Sequence, residues 1–186
     1  MDVLVVTGAS RGIGAATALL AARQGYAVCV NYLQQKAPAQ AVVDAITAQG
    51  GTAVAVQADV AQEDPVRQLF DAAAQLGTLR GLVNNAGILE RQARVQDMDA
   101  ARIARVLQTN VVGSFLCARE AVRRMSTRHG GQGGDHRRFG RITTVLVGRG
   151  FAADVADRPR KDFRHQVRGF IGRLHDQVAA VGDREL

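Results

Sequence analysis

The sequence predicts an α/β fold, a doubly wound parallel sheet with helices on both faces, incomplete in its C-terminal half. Three observations carry this. The apolar run at 3–6 passes through Thr7-Gly8-Ala9-Ser10-Arg11-Gly12-Ile13-Gly14 straight into the helix-forming stretch 15–21. Short apolar runs then alternate with segments of helical periodicity, the pattern of parallel strands joined by right-handed crossovers. After Gly134 that pattern stops and the composition changes.

Taken in order, residues 27–31 (AVCVN) form the second strand. Residues 36–49 carry Ala41, Val42, Ala45 and Ile46 at helical spacing, and Gly50-Gly51 closes the helix as a C-cap pair. Residues 52–57 are the third strand. Residues 62–76 are a helix with Pro65 in its first turn, where a missing N–H costs nothing. The fourth strand, 79–83, runs into the turn Asn84-Asn85-Ala86-Gly87, and 105–128 reads as one long helix ended by the glycine-rich stretch 130–134. The apolar run 142–147 suits a fifth strand.

A chain of 186 residues with 47% hydrophobic content suits one domain with a sizeable core. Asp2 stands where a signal peptide would be basic, and no apolar stretch reaches the roughly 18 residues needed to span a bilayer, so a cytoplasmic location without membrane association is expected. Cys29 and Cys117 fall in a strand and a helix without metal-ligand spacing and read as buried free thiols; no metal site is expected. Charge divides the chain at Gly134. Residues 1–134 hold 13 Lys/Arg against 10 Asp/Glu, and residues 135–186 hold 11 against 7. Of the 24 basic residues only Lys36 and Lys161 are lysines, a bias that reflects a GC-rich coding sequence.

The turn at 7–14 has the chemistry of a phosphate cradle. Backbone N–H groups at a helix N-terminus lack intrahelical partners, and the helix dipole adds partial positive charge, so an anion is held without a basic side chain. Glycine permits the tight turn and the close approach of the phosphates.

With the strand ending in Asn84-Asn85-Ala86-Gly87 about seventy residues on, this turn resembles the short-chain dehydrogenase/reductase family of NAD(P)-dependent oxidoreductases, of classical type. The resemblance covers residues 1–134, read as an NAD(P)-binding Rossmann domain, and includes Asp59 and the stretch 107–115. It implies a hydride transfer between a nicotinamide cofactor and a carbonyl/alcohol pair. It also implies site residues. Gly8, Gly12 and Gly14 shape the pyrophosphate turn, with Ser10, Arg11 and Ile13 within it. Asp59 and Val60 resemble adenine contacts, and Asn85, Ala86 and Gly87 the wall beside the adenosine ribose. Asn31 sits at the end of the second strand, where NAD enzymes place an acidic residue for the ribose 2′-hydroxyl. With no carboxylate there and Arg11 nearby, NADP(H) is favoured over NAD(H). Asn110 matches the family's asparagine, which holds a water in the proton path; an asparagine satisfied by backbone bonds in a helix kink is an equally good account of it.

The family's catalytic serine and Tyr-x-x-x-Lys have no place here. Ser126 is the last serine and Tyr32 the last tyrosine. Tyr32-Leu33-Gln34-Gln35-Lys36 matches the pattern literally, but it follows the second strand, at the adenosine end, and reads as a turn and helix start. A change of reading frame near Gly134 accounts for the joint loss. Read one nucleotide later, the codons of residues 135–139 permit Ile/Thr, Ile/Thr, Val/Ala, Val/Ala and Ser/Leu, which suits a strand ending near serine. The segment 135–186 is therefore expected to be frameshifted or disordered, against a natural divergent C-terminus. The chain is expected to be inactive in this form, taking a small carbonyl/alcohol substrate only if a complete form exists. A non-catalytic NAD(P)-binding or regulatory protein is the alternative. A basic nucleic-acid-binding protein is more remote, because acidic residues interleave the arginines of 135–186 and few aromatic side chains are present for stacking. Homo-oligomers are the family's habit, through the long helix and the helix after the fifth strand; here the second is missing and oligomerisation is doubtful.

Overall fold

A computed structural model of the chain describes residues 1–125 and the strands at 141–145 and 152–154. Its sheet is built outward from β1 (Asp2–Val6), which pairs in parallel with β2 (Ala27–Tyr32) on one side and β4 (Thr78–Asn84) on the other. β3 (Ala53–Gln57) extends the sheet beyond β2, and β5 (Arg141–Val145) beyond β4, both in parallel. The short β6 (Ala152–Asp154) adds an antiparallel edge, giving the order β3-β2-β1-β4-β5-β6. The direction of winding reverses between β1 and β4. At such a switch point the loops leaving the two strands separate and open a crevice at the strands' C-terminal ends, where ligands bind in folds of this kind.

The strands are apolar on both faces because both faces are covered. Val6, Val28, Val30 and Val83 pack beneath α1 (Gly12–Arg23) and α2 (Lys36–Ala48), whose Ala18, Ala21, Val42 and Ile46 belong to the same cluster. Val3, Val5, Cys29 and Leu82 pack beneath α3 (Glu63–Leu76) and α5 (Gly113–Met125) with Leu69, Phe70, Cys117 and Ala121. In α3 the buried positions Val66, Leu69, Phe70 and Ala73 keep a strict helical spacing, and Glu63 and Asp64 complement the dipole in the first turn.

Several elements differ in detail from expectation. The buried stripe of α2 is Ala39, Val42, Val43 and Ile46, and Ala41 faces solvent: apolar spacing alone admits two stripes one residue apart, and packing on β2 selects one. Gly50 ends α2 at φ +78°, and Gly51 N–H donates to the Ile46 carbonyl, so the glycine pair caps as expected. The helix assigned to 105–128 starts earlier and is interrupted. Asp99 caps α4 (Ala100–Leu107) by accepting the Arg102 N–H at 2.6 Å, residues Gln108–Val112 form a π-helical turn, and α5 follows. Side chains of the π turn bond to two neighbouring loops, ties that no periodicity reveals. The apolar run 142–147 contributes β5, level with β4 so that Thr144 pairs with Asn84. The described strands and helices lie within one compact unit, Met1–Asp154. The expectations for the segment from Ser126 to Gly140 and for the Arg-rich end lie outside the described residues.

Candidate functional site

The crevice is formed where three loops meet, and Thr7 is their centre. Its hydroxyl accepts the N–H groups of Asn85 and Ala86, each at 2.9 Å, and its own N–H donates to the Val83 carbonyl at 3.0 Å. The Asn85 amide donates to the Thr7 and Gly8 carbonyls, both at 2.9 Å. From the other side, Asn31 accepts the Gly8 N–H at 3.1 Å and donates to the Ala58 carbonyl at 3.0 Å. Thr7, Asn31 and Asn85 are all buried, so these bonds are wholly or partly shielded from competing water and together they fix the turn.

The three glycines of the turn do different things. A Cβ on Gly8 would lie 2.8 Å from the Ala86 Cα, and one on Gly14 would lie 2.6 Å from the Gly8 carbonyl oxygen, so both are required for packing. Gly12, at φ +57°, would meet nothing within 4 Å. Its conformation excludes other residues at low cost, and the space before it is open. It begins α1, whose N-terminus has no side-chain cap and no acidic residue in its first turn. Orphan N–H groups facing open space at a helix N-terminus form an anion site. Arg11, Gly12 and Ile13 are exposed on this open side and Ser10 is half-buried. Ile13 keeps 41% of its surface exposed, unusual for isoleucine beside a core.

Asp59 and Val60 lie on the loop after β3. Asp59 accepts the Ala61 N–H at 2.9 Å, and Val60 is buried against Gly113, where an added Cβ would lie 3.0 Å from the Val60 carbonyl oxygen. Ala86 and Gly87 are half-buried beside the glycine turn. Asn110, in the π turn, accepts the Ile88 N–H at 2.8 Å and donates to the Ile88 carbonyl at 3.0 Å. Its side-chain amide thus holds the chain leaving β4, and Ser114 donates to the Asn110 carbonyl at 2.9 Å.

Gly8, Gly12, Gly14, Asn31, Asn85 and Ala86 are therefore brought together, with Ser10, Arg11 and Ile13 on the open rim. Asn31 is placed differently from the expectation of a ligand-facing residue: its amide points inward and is engaged by protein partners, because the strand end it occupies is covered on both sides. Tyr32 is buried in the α2-side core and Lys36 is exposed at the start of α2, so the Tyr-x-x-x-Lys match forms no site. Sequence reasoning missed Thr7, Gln108, Gly113 and Ser114. A threonine directly before a glycine turn was a usable cue for Thr7; the others depend on which loops fold together. Both cysteines are buried free thiols, and burial pushes each up to about 12, with Glu120 adding to the effect at Cys117. Among the described residues there is no cluster of His, Cys, Asp or Glu suited to a metal ion, and no helix long and apolar enough to cross a membrane.

A glycine turn opening a helix at the switch point of a doubly wound parallel sheet defines a Rossmann-type fold. The short chain dehydrogenase family model matches residues 2–133, and the chain belongs to that family. An uncharacterized oxidoreductase of Escherichia coli strain K12, YgfF, is 53% identical over 135 residues, which is 72% of this chain and 55% of that protein. A 3-oxoacyl-[acyl-carrier-protein] reductase, FabG, of Staphylococcus aureus is 42% identical over 128 residues, 68% of this chain and 52% of the reductase. Among solved structures, a short chain dehydrogenase from Burkholderia cenocepacia in complex with NADP superposes with a TM-score of 0.63 at 41% identity, covering 66% of this chain and 50% of that one. A dehydrogenase/reductase from Sinorhizobium meliloti gives 0.66 at 38% identity, covering 77% and 52%. The chain thus spans about half the length of the relatives it matches.

Proposed function

We propose that the chain binds a nicotinamide dinucleotide, NADP(H) in preference to NAD(H), as the cofactor half of an oxidoreductase acting on a carbonyl/alcohol pair. The observation that carries this is Gly12: left-handed, fronting open space, and set at an uncapped helix N-terminus. The pyrophosphate lies against the N–H groups of the turn, bordered by Ser10 and Ile13. Asp59 and Val60 border the adenine, and Asn85, Ala86 and Gly87 the adenosine ribose. Asn31 acts behind this surface as a positioning residue. The preference for NADP(H) follows from charge. No carboxylate is present at the end of β2, and Arg11 is exposed on the rim without an ion-pair partner among the described residues, so a 2′-phosphate meets a cation and no repulsion. The NADP in the Burkholderia cenocepacia relative supports the same cofactor.

When bound, the dinucleotide supplies hydride chemistry. Asn110 is the one residue of this chain that matches the family's proton path, and it acts by fixing Ile88 beside the groove. Without the family's serine, tyrosine and lysine, this form binds cofactor and does not turn over substrate.

The test is titration of the chain with NADPH and NADH, followed by cofactor fluorescence. NADPH is expected to bind more tightly, and Gly12→Val to weaken it about tenfold or more by filling the cradle and straining the backbone. Equal affinity for the two cofactors overturns the preference; binding unaffected by Gly12→Val overturns the site.

A further inference from the structure

The π turn Gln108–Val112 links the loop after β3 with the chain leaving β4. Single π turns inside helices recur at functional sites, where the wider turn redirects side chains. Here two side chains, two residues apart on the turn and so leaving it on nearly opposite sides, reach two different loops. The Gln108 amide donates to the Ala61 carbonyl at 3.0 Å, and the Asn110 amide makes its two-way bond with Ile88. Directly after the turn, Gly113 lies so close to Val60 that an added Cβ would stand 3.0 Å from the Val60 carbonyl oxygen.

The loop after β3 is held at both ends by side-chain amides. Asn31 takes the Ala58 carbonyl and Gln108 takes the Ala61 carbonyl; Asp59 and Val60 lie between. Asn31 also holds Gly8, tying its end of the loop to the glycine turn. At the other end Gln108 supplies the side-chain tie to the loop's own backbone, and just beyond it Arg119 of α5 donates to the Glu63 carboxylate at 2.6 Å. The loop's internal bonds, Ala61 N–H to the Asp59 carboxylate and Gln62 N–H to the Asp59 carbonyl, shape it without fixing its distance from the opposite wall.

We infer that Gln108 is a positioning residue for the adenine side of the groove: through Ala61 it sets Asp59 and Val60 against the wall that Asn110 holds at Ile88. The inference rests on the reading of the groove as a dinucleotide site. Gln108 is exposed, so its bond is one of modest strength, and its removal changes affinity by about two- to tenfold.

The experiment compares the full chain with Gln108→Ala, Gln108→Asn and Gln108→Lys. Two readouts are used: hydrogen exchange of residues 59–62 and 88 without ligand, and titration with NADPH, 2′-phospho-ADP-ribose and nicotinamide mononucleotide. Gln108→Ala is expected to speed exchange at 59–62 and to weaken NADPH and the adenine-side fragment alike, leaving the mononucleotide unchanged. Gln108→Lys, which restores a donor of sufficient reach, recovers both; Gln108→Asn, which keeps the amide but shortens it, does not, and it replaces the alanine variant if that one fails to fold. Unchanged exchange at 59–62 in the variants overturns the inference, as does faster exchange with unchanged affinity for the adenine fragment. If the unaltered chain binds none of the three ligands, the dinucleotide reading fails, and the exchange data still decide whether Gln108 holds the loop.

Discussion

The cofactor half and the chemical half of this molecule differ in how their residues depend on one another. Around the glycine turn, Thr7, Asn31 and Asn85 hold each other's loops through buried bonds of 2.9–3.1 Å, so the arrangement is specified several times over. The proton-transfer residues of the family have no comparable presence: Asn110 alone matches, and its side chain serves the scaffold at Ile88. Independent drift would remove the catalytic residues piecemeal. The family match ends at residue 133, and we propose that a single event near Gly134 removed the serine, tyrosine and lysine together.

The largest expected effect separates the two halves directly. The chain is expected to show no measurable carbonyl reduction with NADPH or NADH, since losing the proton donor alone removes about a hundred- to ten-thousand-fold of rate. Turnover that Asn110→Ala abolishes, in protein free of contaminating reductases, breaks the comparison. Sequencing across codons 130–145 sharpens it: a single insertion or deletion is expected to open a frame in which codons 135 onward encode the fifth strand, with a serine near its end and a Tyr-x-x-x-Lys downstream. Failure of every such frame leaves a genuinely divergent C-terminus.

A smaller effect concerns the outer face of α4 and α5. Ile103, Leu107, Val111, Phe115 and Val122 are exposed there, Phe115 at 74%. Exposed large apolar side chains on neighbouring helical turns promote association. Sedimentation is expected to show self-association that Phe115→Ser weakens about tenfold. A monodisperse monomer that melts cooperatively shows instead that this face is covered within the chain.

The smallest effect tests the charge cluster that Glu120 forms with Arg123 and Arg124 within α5. Burial alone raises the pKa of Glu120, but hydrogen bonds and charge from Arg124 and Arg123 outweigh it and hold the carboxyl below the ordinary glutamate range. A carboxyl depressed in the folded state stabilises above its unfolded pKa, about 4.3, and loses that contribution as the pH falls through the folded value. Glu120→Gln is expected to cost about 0.5–1 kcal/mol at pH 7, since Arg123 and Arg124 keep access to water and solvent screens the pairs. The difference in melting temperature between the two proteins should shrink below about pH 4. A difference constant with pH contradicts this.

Much of the fold was legible because its determinants are local. Apolar runs, Gly50-Gly51 and the spacing in α3 act through the chain's own neighbours, and the glycine turn announces itself in eight residues. What stayed hidden is non-local. The inward amide of Asn31, the π turn, and the tie from Gln108 to Ala61 join residues 22 to 47 positions apart, and a one-dimensional pattern does not contain such distances.

The central claim, that the open side of the glycine turn is a dinucleotide site, is tested most directly by amide chemical shifts of the chain as NADPH is added. Shifts are expected at residues 10–14, 59–61 and 85–88, saturating together with a single affinity and disappearing in Gly12→Val. Saturable shifts confined to the arginine-rich segment beyond residue 134, or shifts that persist unchanged in Gly12→Val, contradict it.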